Sequence, residues 1–346
     1  MAKISKEEKY RQQFERERQK RIAKFHRMAR VQKNATEEQI NAQIISYVAK
    51  MKKDCYKVSL TTSQCNDAEF LMALYQANPE MLIFQKPSSD NVQLQNNLDF
   101  MLEFVKMAHA YNMKGYADGN EKYWYATKLR WLLQHYKTAM SNPAFIERLA
   151  KVYGEVNIIE VIEDALKSHC VSIDKQRDKA ESENIDRVIS SLSTELLCDQ
   201  ARKFGRETIK YVPREVPHFN EIVSAGIEKD NFDSLTQLPA KQVADNIDLV
   251  IKAYELGGIA KLSEYVRFSL TPHRTRWYMC HGEPHDYDYY DRDFAVAQDA
   301  VMNDERIKQI IMSEKQKVEE NARQTQPKEI KHSPSSQKLV DSILKR

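Results

Sequence analysis

The scarcity of glycine constrains this chain more than any other feature of its sequence. Only eight occur in 346 residues (Gly115, Gly119, Gly154, Gly205, Gly226, Gly257, Gly258 and Gly282), against a usual share of roughly 7%. No three of them fall at phosphate-cradling spacing, which disfavours Walker-type and dinucleotide-binding loops. Glycine would lose much backbone freedom in a helix, whereas the abundant Lys, Glu, Gln, Leu, Ala and Met lose little side-chain freedom there. The expected class is all-α: an irregular multi-helix body in two lobes, with a basic helical N-terminal arm and a flexible C-terminal tail.

Helix signals mark out the body. Thr36-Glu37-Glu38-Gln39 has capping-box form, and Ile40, Ile44, Ile45 and Val48 follow as one helical stripe. Asn78-Pro79 interrupts a second helix, and Lys86-Pro87-Ser88-Ser89-Asp90 reads as a loop. Leu94, Leu98, Met101, Leu102 and Val105 then describe a long helix ending near Lys114-Gly115. In the helix expected over 120–140, Tyr125, Leu129, Leu132, Tyr136 and Met140 form a core stripe. Trp124, Lys128, Trp131 and His135 form another; two Trp on so wide an apolar face read as core rather than as stacking platforms for bases.

Further helices are expected over 156–180 and 184–204. The pattern lapses from Gly205 to Pro217, which makes 205–217 the expected linker between a main helical domain, 36–204, and a second lobe, 218–313. Within that lobe 273–293 reads as an irregular polar and aromatic loop. After Ser313 apolar residues become scarce, so 314–346 is expected to be a flexible tail, with Leu339, Val340, Ile343 and Leu344 as a short docking motif.

The arm, residues 1–35, carries the strongest functional signal. Between Lys3 and Lys33 there are twelve Lys and Arg against four Glu, a net +8 in a chain of +3, which leaves the remainder at −5. On a helical wheel Lys9, Arg16, Lys20, Lys24, Arg27 and Arg30 share one face, opposite Tyr10, Phe14, Ile22, Phe25 and Met28. Such a stripe, about 32 Å long from Lys9 to Arg30 at 1.5 Å per residue, suits the phosphates of RNA or DNA. Phe14 and Phe25 offer the alternative of docking on a protein groove. An anionic membrane surface is disfavoured, because Glu8, Glu15 and Glu17 flank the basic face.

Five cysteines, an odd number with no Cys-x-x-Cys pair, argue against a disulfide framework and for a reducing intracellular compartment, and neither a secretory signal nor a membrane-spanning run is present. No nucleophile motif of the Gly-x-Ser-x-Gly, Ser-x-x-Lys or His-Glu-x-x-His kind occurs. Residues 273–293 nevertheless gather metal-capable side chains, and Cys280, His281 and His285 are candidates to meet at one zinc. The adjacent pair His285-Asp286 resembles the metal-binding dyad of the helical HD-type phosphohydrolases, in which the dyad sits on an apolar helix. That resemblance implies a metal-dependent hydrolase of a phosphorylated substrate, with His281, His285 and Asp286 as ligands of one divalent metal.

The leading expectation is different: a non-enzymatic binding and assembly protein without a cofactor. Its arm holds nucleic acid, its body and tail contact proteins, and opposite charge on arm and body favours an oligomer. A protein-only scaffold docking through arm and tail is the second alternative.

Overall fold

The computed structural model describes residues 5–114, 121–167, 175–280 and 283–324. Among them are twenty α-helices and one two-stranded hairpin, so the fold is all-α. The chain folds as two units, Met1–Ser191 and Leu192–Arg346.

The first unit opens with α1 (Lys6–Met28), α2 (Glu37–Ala49), α3 (Thr62–Asn66) and α4 (Ala68–Ala77). Each is started by a side-chain cap: Ser5 accepts the Glu8 N–H, Thr36 and Thr61 form complete capping boxes with Gln39 and Gln64, and Asp67 accepts from Phe70. Each such cap satisfies a first-turn N–H that the helix leaves unpaired and is worth about 1 kcal/mol. The long helix Leu98–Met113 supplies the centre of the core, where Phe104 meets the rings of Tyr75 and Tyr136 at 5.7 and 5.5 Å. Leu129, Leu132, Tyr136 and Met140 are buried as their stripe predicts. Trp131 is not: it stands 51% exposed with the Lys128 ammonium 4.7 Å from its ring, which overturns the core reading at that position.

The second unit begins with Thr194–Phe204, capped by Ser193, so the helix expected over 184–204 is broken at 191–193. This helix packs against Phe219–Asp230. The stretch 205–217 between them lies inside this unit rather than between lobes, because Ile209, Val212 and Val216 are buried and Thr208 donates to the Gln200 carbonyl. The two prolines of that stretch mark turns, not a domain boundary. Gly258, at φ 73, breaks the helical run Ile247–Glu264.

Two further expectations fail here. Residues 273–293 are not an irregular loop: β1 (His273–Cys280) pairs antiparallel with β2 (Glu283–Tyr290), in a register running from His273 opposite Tyr290 to Cys280 opposite Glu283. The Thr, Trp and Tyr residues of this stretch favour the pleated conformation, and the register leaves only two residues, His281 and Gly282, between the strands. The flexible tail expected from 314 also fails over its first part, because the last described helix runs Glu305–Gln324. It is anchored by buried Ile307 and Ile311. Beyond them it continues on charged helix formers, with Glu314 bound by Lys317 at 2.7 Å and by the Tyr254 hydroxyl at 3.1 Å. Few apolar residues do not prevent a helix whose polar side chains pair at i,i+3. Leu339, Val340, Ile343 and Leu344 lie outside the described residues.

Candidate nucleic-acid interface

Helix α1 has two halves with different environments. Its C-terminal turns are seated in the first unit: Ile22, Phe25 and Ala29 are buried, and the Phe25 ring meets Tyr47 of α2 edge-on at 6.1 Å. Halfway along, the Arg18 guanidinium donates to the Thr62 hydroxyl at 2.8 Å. From Ser5 to Glu17 every residue is exposed, Tyr10 and Phe14 included. The helix is therefore pinned at one end and solvated at the other.

The basic face survives this arrangement. Lys9, Arg16, Lys20, Lys24 and Arg27 are all exposed, and none makes an ion pair among the described residues. Of the acids of α1, Glu7 faces Arg11 at 3.7 Å and Glu15 faces Arg18 at 4.0 Å. From Lys9 to Arg27 the face extends about 27 Å.

Arg30 departs from the expectation. The helix ends at Met28, and Arg30 takes the left-handed conformation, φ 55, in a Schellman motif: its N–H donates to the Arg27 carbonyl at 3.2 Å and the Val31 N–H to His26 at 2.9 Å. It remains exposed beside the stripe but is not on the helical face. Phe25 departs too, since a ring 1% exposed in this chain's own core offers a partner nothing; Phe14, 63% exposed, does. His26 adds no charge to the arm at neutral pH. Burial pulls its pKa below the usual value, and its Nε2 lies buried without a hydrogen-bond partner.

A second basic segment, which sequence reasoning missed, lies in the chain between the two elements that α1 touches. Lys50, Lys52, Lys53, Tyr56 and Lys57 are exposed on the loop that leads from α2 toward α3, bounded by the two elements that α1 touches. Its signal was legible, four lysines in eight residues with a tyrosine among them, but it is hidden in a chain that is 30% charged.

The other candidate centres gather no comparable chemistry. His285 and Asp286 occupy consecutive positions of β2, opposite Tyr278 and Trp277, so the dyad is on a strand and not on the helix that its resemblance implies. His281 lies outside the described residues, and among those described no group of three or more His, Cys, Asp or Glu is placed to hold a metal ion. Burial pushes the Cys55 thiol up to about 11 and raises those of Cys65 and Cys198, which leaves all three protonated at neutral pH and poor nucleophiles. Of two open pockets, one of about 520 Å³ is lined by Lys252 and Arg306, already paired with Glu228 and Asp304. The other, about 400 Å³, holds His218 bound to Glu221 at 2.7 Å. Neither sets a Ser or Cys beside a His. No described helix is long and apolar enough to cross a membrane.

The chain matches no known family profile, no curated protein and no solved structure.

Proposed function

We propose that this protein is a non-enzymatic binding and assembly component that holds nucleic acid through α1 while its helical body contacts proteins. One observation carries the reading: five cations, Lys9, Arg16, Lys20, Lys24 and Arg27, stand exposed and without an ion pair among the described residues, along a helix that is docked at one end and solvated at the other. Lys and Arg kept free of internal carboxylates are able to neutralise phosphates and release their counterions, and this term dominates the affinity of non-specific nucleic-acid binding. The docked end gives the helix a defined direction relative to its unit, so that binding does not have to order the whole arm.

The test is a fluorescence-anisotropy titration of labelled RNA and DNA with the full chain at two salt concentrations. If the five cations each meet a phosphate, affinity for duplex falls by about 10²–10³-fold between 50 and 200 mM salt. Replacing Lys9, Arg16, Lys20 and Lys24 together by Ala removes most of that slope. Absence of binding by the wild-type chain at 50 mM salt would overturn the proposal.

A further inference from the structure

Resting on that reading, we infer that the Lys50–Lys57 loop is a second part of the same interface, and that it directs the protein to single-stranded nucleic acid by stacking an unpaired base on Tyr56.

The loop is built, not merely basic. Asn78, only 8% exposed, donates its side-chain amide to the carbonyls of Val48 at 3.2 Å and Met51 at 3.1 Å, and toward the Cys55 sulfur at 3.5 Å. Cys55 is itself buried, and a single 3₁₀ turn closes over it, with the Lys57 N–H donating to the Asp54 carbonyl at 2.8 Å. Asp54 adopts the left-handed conformation, φ 70, that this turn demands, one that Asp tolerates better than most residues. The base of the loop is thereby fixed, and its exposed side chains project from a rigid frame.

Those side chains suit one class of ligand. Asp54 is the loop's only acid, and Lys57 occupies it at 2.7 Å, while Lys50, Lys52 and Lys53 have no ion pair among the described residues. Between them and Lys57 the Tyr56 ring stands 64% exposed, with the Lys57 ammonium 5.4 Å from its centre. An aromatic face framed by cations is what a strand of unpaired bases requires: charge along the backbone and a platform for a base. A duplex keeps its bases stacked on each other and presents only phosphates to such a loop.

The placement ties loop and arm together. Tyr47, against which Phe25 packs, precedes Lys50 by three residues, and Thr62, which Arg18 holds, follows Lys57 by five. The arm thus touches the chain just before the loop and just after it.

The experiment titrates the full chain with a labelled single strand of about 16 nucleotides, as RNA and as DNA, and with the matching duplex. Tyr56→Ala is expected to weaken single-strand binding by about 5- to 150-fold, with duplex affinity and the salt slope unchanged, because the ring stacks and carries no charge. Tyr56→Phe should retain wild-type affinity. Lys52→Ala with Lys53→Ala should lower the single-strand salt slope by about 1.4. Tyr56 is so exposed that circular dichroism of these variants should match wild type, which excludes misfolding. If Tyr56→Ala leaves single-strand affinity unchanged, or weakens strand and duplex equally, the inference falls while binding by the arm stands. If the wild-type chain binds no nucleic acid at low salt, both fall.

Discussion

Phe14 and Phe25 lie on one side of α1, about three turns apart, and differ wholly in what surrounds them. Phe25 fills a site bounded by Tyr47, while Phe14 stands in solvent. Truncating a buried ring removes its transfer free energy and leaves a cavity as well. Phe25→Ala should therefore cost about 3–5 kcal/mol, and Phe14→Ala should fall within about 0.5 kcal/mol of wild type. Urea unfolding followed by circular dichroism separates the two, and equal effects would show that the docked end of α1 is not part of the core. At this scale the sequence was ambiguous because a helical wheel places both rings on one apolar face. Burial depends on where the rest of the chain comes to meet that face, and periodicity carries no record of this.

Among the elements, starts were more legible than ends or joins. The capping boxes at Thr36 and Thr61 are local, made by residues three apart, and need no tertiary partner. The end of α1 was harder to read, because Arg occupies the left-handed position that glycine usually takes in a Schellman motif. The join at Gly205 shows the reverse case, where the glycine is required. Its φ is +56, and a Cβ there would run into the Asp230 carboxylate, which itself accepts the Arg206 N–H at 2.6 Å and the Ser234 N–H at 3.1 Å. Gly205→Ala combines a disfavoured dihedral with displacement of that clamp, and is expected to destabilise by about 1–3 kcal/mol. A thermal melt of this variant that overlays wild type would mean that Asp230 holds no such junction. The hairpin went unread for a related reason: strand propensity in Trp277, Tyr278 and Tyr287 is real, but pairing is a contact between segments and composition pointed to helix.

Across the whole molecule, two units each enclose their own buried residues, Ile44 and Phe104 in one, Ile222 and Ile227 in the other. Conservative truncations in two separate cores are expected to act independently. Ile44→Val and Ile222→Val are each expected to cost about 0.5–1.5 kcal/mol, and the double variant to equal their sum within about 0.5 kcal/mol by denaturant unfolding. A larger departure would show that the two cores are energetically coupled.

By itself the sequence determined what depends on neighbours along the chain: the helical class, through propensity and scarce glycine, the start of α2, through its capping box, and the concentration of positive charge in the first 33 residues. Tertiary structure alone decided which of the arm's rings is buried, that 205–217 belongs within a unit, that 273–280 pairs with 283–290 as strands, and that α1 docks on residues to either side of the 50–57 segment. Propensities and caps act over three or four residues, whereas burial, pairing and the convergence of charge depend on segments brought together from far apart in the chain, and a linear pattern holds no measure of that distance.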